Sequence, residues 1–166
     1  HFSNADMHGF FFFIGTALES STKLQNSIYF KSADNTALYV NLYVPSTLRW
    51  EEKNVTITQK TALPKEDHTK LFIGGSGKFN LHVRVPQWAT NGFFVTINGE
   101  TEEVEALPGS YLSLTRNWRD KDTVELRMPF QFHLEPVMDQ QNISSLFYGP
   151  VLLAAQEDEP RNDWRK

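Results

Sequence analysis

The sequence predicts an all-β chain: an antiparallel β-sandwich, jelly-roll-like, preceded by one short N-terminal helix. Three observations carry this. Apolar and polar residues alternate with period two in segment after segment from Ser27 onward, the pattern of half-buried strands. Asn98-Gly99 stands between two such segments, where a type I′ hairpin turn needs two residues at positive φ. Pro45, Pro64, Pro86, Pro108, Pro129 and Pro136 fall at the ends of the runs, where a missing N–H costs the ladder least.

The helix comes first. In Gly15–Ser27, Thr16 can cap the N-terminus and Glu19, three residues on, can return the bond, which is a capping box. Glu19 therefore reads as a cap rather than a catalytic carboxylate. Ala17 and Leu24 are seven apart and share a face. About three turns are marginal alone, so the helix must dock on something.

The strands follow in order. Ala37–Val44 sets Leu38, Val40, Leu42 and Val44 against Tyr39, Asn41 and Tyr43. Asn54–Gln59 places Val55 and Ile57 on one face. Lys78–Pro86 is the cleanest case, with Phe79, Leu81, Val83 and Val85 opposed to Asn80, His82 and Arg84. Around Asn98-Gly99 the runs are Phe93–Ile97 and Glu100–Leu107. Ser110–Thr115 offers Leu112 and Leu114 to the core, and Asp122–Pro129 offers Val124, Leu126 and Met128. Phe130, Phe132 and Leu134 alternate again, and Ser144–Ala155 is continuous enough to be a central strand.

Composition narrows the function classes. The chain has 166 residues and no cysteine, so it can supply no disulfide, thiolate metal ligand or cysteine nucleophile. A net charge of −4 argues against a nucleic-acid surface. No apolar run reaches the roughly 20 residues of a membrane span. Ser3-Asn4-Ala5 resembles the scar of a cleaved purification tag, so residues 1–9 are expected to be a remnant and boundary. The expected organisation is then a helix over 10–26, a sandwich over 27–156 and a charged tail over 157–166. A periplasmic or secreted bacterial location is compatible with this composition.

Candidate site residues are few. His68, His82 and His133 lack metal-ligand spacing, and Asp120 and Asp122 fit a turn before a strand. Trp50, Trp88 and Trp118 are candidates for stacking on sugar rings, although each lies beside a turn, which favours a packing role. Phe10, Phe11, Phe12 and Phe13, with Leu24, form a candidate interdomain docking surface.

The segments Gly15–Thr61, Leu81–Ala89, Val95–Glu100, Pro108–Phe130 and Leu134–Ala155 together resemble the C-terminal part of bacterial β-L-arabinofuranosidase-type enzymes, glycoside hydrolase family 127, long catalogued as a domain of unknown function. The resemblance implies an (α/α)6 catalytic barrel upstream of β-sandwich domains. It makes this chain the sandwich part, with the absent barrel as its partner. It also implies a zinc-binding Cys-Cys pair just before the Gly-Thr helix start, one cysteine being the nucleophile. Here those places fall on Phe12 and Phe13, which have no lone pair for a metal and no nucleophilic atom. The family's zinc is thus not expected in this chain. The leading reading is a non-catalytic module acting beside a barrel on arabinose-containing glycans, with self-association through the docking face when that barrel is missing. The alternatives are a carbohydrate-binding module and an independent glycosidase.

Overall fold

The computed structural model describes residues 23–137 and 140–154. Residues 23–26 are helical. The chain then enters β1 (Tyr29–Lys31) and β2 (Ala37–Val40), which pair antiparallel. The predicted strand over Ala37–Val44 stops at Val40, because the next two backbone N–H groups, of Asn41 and Leu42, turn back to Ile28 O.

Three strands follow: β3 (Ser46–Trp50), β4 (Val55–Thr61) and β5 (His68–Gly74). A 3-10 turn over Glu51–Lys53 joins the first two and ends on Asn54 at φ 51°. Next come β6 (Gly77–Arg84), β7 (Phe94–Ile97), β8 (Glu100–Glu102), β9 (Tyr111–Trp118) and β10 (Thr123–Arg127). Asn98 and Gly99, at φ 54° and 87°, make the two-residue β7–β8 turn as the sequence predicts.

These ten strands form two sheets, in the orders β1-β2-β6-β9 and β3-β4-β5-β10-β7-β8. Pairing is antiparallel except between β2 and β6, which run parallel with Tyr39 opposite His82 and Val40 opposite Val83. The alternation turns one face of each sheet inward. Leu38, Val40, Phe79, Leu81, Val83 and Leu114 come from the smaller sheet. Ile57, Leu71, Ile73, Val95, Val124 and Leu126 come from the larger, and all twelve join one buried cluster. Burying a side chain of this size contributes roughly 1.5–3 kcal/mol, so the sandwich stands on this cluster.

A further sheet lies within the expected 27–156 span. β11 (Phe132–Val137), β12 (Gln140–Tyr148) and β13 (Val151–Leu152) form a third, three-stranded sheet in that order. The run over Ser144–Ala155, expected as one central strand, is broken at Gly149-Pro150 into the end of β12 and the short β13, with β12 central in this smaller sheet. Pro136 lies inside β11 rather than at a run end. It is tolerated there because β11 is an edge strand, and the register shifts between Pro136 and Val137. Among the described residues no helix is long and apolar enough to cross a membrane.

Candidate functional site

The candidate tryptophans part company. Trp50 ends β3 and Trp118 ends β9, both at inward positions, and each is 1% exposed. Phe79 packs between them, with ring centroids 5.3 Å from Trp50 and 5.7 Å from Trp118. Trp118 Nε1 donates to the Phe79 carbonyl at 3.1 Å. Neither ring can meet a sugar, because strand parity places both in the core. Trp88, in the loop after β6, is half-buried, with the Phe130 ring edge-on at 5.5 Å.

Trp88 belongs to an open groove of about 480 Å³. Leu42, Tyr43, Leu63, Pro64, Pro86 and Pro150 supply the apolar lining, and Asn41, Arg84 and Gln87 the polar part. The sequence folds this way because β2 and β6 run parallel and end together. Asn41, the residue after β2, therefore meets Arg84, the last residue of β6. Arg84 Nη1 donates to Asn41 Oδ1 at 3.3 Å, and Tyr111, opposite Arg84 on β9, sends its hydroxyl to the same oxygen at 2.6 Å. Asn41 Nδ2 donates to the Ser27 carbonyl at 2.9 Å, and the Tyr43 hydroxyl to the Arg84 carbonyl. Burial pushes the Tyr43 hydroxyl pKa up, so it remains a donor at all ordinary pH.

Beside the groove, Tyr39 stacks on His82 at 4.4 Å and meets Tyr111 edge-on at 5.4 Å. Burial lowers the His82 pKa, which favours the neutral imidazole. Asn41, Arg84 and Tyr111 are the residues that sequence reasoning passed over. Alternation places Arg84 on an outward face, but it does not reveal that β2 and β6 are neighbours.

The remaining candidates resolve into structure. Asp120 Oδ1 accepts the Gly75 N–H at 2.9 Å. Asp122 accepts from Arg119 N–H at 2.8 Å and from Asn98 Nδ2 at 2.9 Å, closing the turn before β10. His68 lies 3.3 Å from Glu66 and 3.6 Å from Asp67, while His133 stacks on Phe147 and stands 3.4 Å from Glu135. Among the described residues no three His, Cys, Asp or Glu side chains are grouped as a metal site requires. A zinc site built on thiolates does not fit this chain, which has no cysteine to give. Glu19 and Phe10–Phe13 lie outside the described residues.

Leu24 is described, on the helical turn, and is 58% exposed. A second apolar surface appears on the third sheet. Phe132, Leu134, Leu146 and Tyr148 share one face by register, and Ile143 and Leu152 lie on the other. All six are exposed, with Phe132 at 66% and Leu134 at 64%.

Residues 37–130 match a family model described as β-L-arabinofuranosidase, GH127 middle domain. The match ends two residues before β11. Among solved structures, a glycoside hydrolase superposes with a TM-score of 0.67 at 26% identity, over 78% of this chain and 22% of its own. A GH127 β-L-arabinofuranosidase from Geobacillus stearothermophilus T6 gives 0.66 at 28% identity, over 78% and 21%. A GH127 β-arabinofuranosidase gives 0.63 at 24%, over 75% and 23%, a likeness of fold alone. The chain thus spans about a fifth of the length of these structures. No curated protein matches it.

Proposed function

The chain belongs to the GH127 β-L-arabinofuranosidase family, as its middle domain, and we propose that it serves a longer glycoside hydrolase as a non-catalytic β-sandwich module. In this reading it buttresses an (α/α)6 barrel that carries the chemistry on arabinose-containing glycans. One observation supports this most directly. The sandwich core is complete, yet Phe132, Leu134, Leu146 and Tyr148 stand exposed on one face of a sheet outside it. A contiguous exposed apolar surface of this kind marks an interaction site. Leu24, on the helical turn leading into the sandwich, adds a second contact point. Glycoside hydrolysis needs two carboxyl groups flanking one bond, and Asp120 and Asp122, the best-placed pair, are committed to backbone and amide bonds.

Light scattering on the purified chain tests the reading. The chain is expected to self-associate and to bind a hydrophobic dye, and the double variant Phe132→Lys/Leu134→Lys to return it to monomer. A monomer that binds no dye overturns the docking role. Cleavage of an aryl arabinofuranoside by the chain alone overturns the non-catalytic role.

A further inference from the structure

The groove beside Trp88 has the features of a ligand site in its own right. Its volume of about 480 Å³ lies within the roughly 300–1,000 Å³ of small-molecule sites. Its walls are mainly apolar, with a few polar groups among them, as such sites require. Two of those polar groups, Asn41 and Arg84, are already fixed. Asn41 Oδ1 holds both Arg84 Nη1 and the Tyr111 hydroxyl, and Asn41 Nδ2 is tied to the Ser27 carbonyl. A ligand meeting prearranged partners gives up less conformational freedom on binding. Arg84 is exposed, and its other guanidinium N–H groups have no protein partner among the described residues. Gln87, also on the groove wall, is exposed.

The chemistry of the lining selects the ligand. A sugar ring has an apolar C–H face and an edge of hydroxyls. Trp88 offers an aromatic ring, and Phe130 braces it from behind at 5.5 Å. Tyr111, 41% exposed, offers a second ring next to the polar end. Arg84 and Gln87 offer guanidinium and amide groups, which suit hydroxyl edges. No acidic side chain lines the groove in a chain whose net charge is −4. One arginine among uncharged groups fits a neutral polyhydroxylated ligand better than a phosphate, which normally draws several cations.

We propose that this groove binds a short neutral oligosaccharide of pentose units, with one ring against Trp88 and its hydroxyls read by Gln87 and by Arg84, which Asn41 helps to hold in place. The choice of pentose rests on the GH127 assignment. None of the exposed apolar side chains of β11–β13 lines the groove, although its Pro150 lies in the turn between β12 and β13. It would hold a glycan chain near a catalytic domain without cutting it.

Titration of the chain with arabinan oligosaccharides, followed by calorimetry and by amide chemical shifts, tests this. Binding with a Kd of about a millimolar or tighter is expected, with shifts at the Trp88 indole and the Asn41 amide. Arg84→Ala and Gln87→Ala sit on exposed side chains and keep the fold. Each is expected to weaken binding, Arg84→Ala by about tenfold, the value of one charge-assisted hydrogen bond. Trp88→Ala should abolish binding, with circular dichroism confirming that the sheet remains. Phe132→Lys should leave it unchanged, which separates this site from the docking surface. No heat and no shifts at about ten millimolar ligand, or affinity indifferent to Arg84→Ala and Gln87→Ala, overturns the proposal. So does tighter binding of an oligogalacturonate, which would make the groove an anion site.

Discussion

Asp122 shows how one side chain ties two turns together. It is 7% exposed, and burial alone would raise its pKa. The Arg119 N–H, the Asn98 amide and the charges of Arg116 and Arg119 outweigh that and hold the pKa below the usual carboxylate value. A carboxylate with a depressed folded pKa adds stability above its unfolded pKa of about 3.9, and loses it as the pH falls through the folded value. Denaturant midpoints are therefore expected to be level from neutrality to about pH 5 and to fall below about pH 4. Asp122→Asn should lower the neutral plateau by about 1–3 kcal/mol, the cost of weakening buried bonds to a charged group, and flatten the acid limb. An acid limb as steep as that of the parent chain would count against this role. The turn around Asp120 and Asp122 was legible in the sequence, since Asp before a strand is ordinary turn chemistry. Which of the tryptophans meet solvent was not. Trp50 and Trp118 sit beside turns just as Trp88 does, and only strand parity and sheet pairing send two of them inward.

At the scale of elements, two glycines separate conformational demand from space. Gly99, at φ 87° in the β7–β8 turn, has open space where a Cβ would stand. Gly75, at φ 86° between β5 and β6, would place a Cβ 2.5 Å from the Asn54 carbonyl oxygen. Gly99→Ala carries the left-handed penalty alone, about 1 kcal/mol. Gly75→Ala adds a collision with backbone that cannot rotate away. Thermal melts should show the second loss clearly larger, and equal losses would mean that Asn54 yields freely. Alternation made β4, β6, β9 and β10 legible, because one face of each is buried and the other wet. It did not mark β3 and β5 in advance. In Ser46–Trp50 only Trp50 is fully buried, and His68–Gly74 opens on a turn-like charged stretch. The third sheet escaped a reading from period alone. Phe132 and Leu134 alternate correctly, but the pattern does not say which surface will cover them.

On the scale of the whole molecule, stability is unevenly spread. The ten-strand sandwich shares one buried cluster, whereas β11–β13 leave large side chains exposed on both faces. Their ties to the sandwich run through Phe130, whose ring meets Trp88 at 5.5 Å and Tyr148 at 5.7 Å, and through Gln131, which bonds Thr90. Regions with few buried apolar contacts open first. Hydrogen exchange should find the amides of β12 less protected than those of β6 and β9 by orders of magnitude. Equal protection would show that the third sheet is stabilised without a partner.

The parallel pairing of β2 with β6 sets an order of events during synthesis. β2 has its β6 neighbour, Asn80–Val83, about 40 residues further along the chain. β6 in turn pairs with β9, which ends at Trp118. Closing such loops must precede any reward from the contacts they make, so assembly is slow by topology. A nascent chain that has not yet delivered Arg84 holds Leu38 and Val40 without their β6 neighbour, apolar and open to capture by other chains. The larger sheet closes later still, because β10, the strand that joins β5 to β7, is complete only at Arg127.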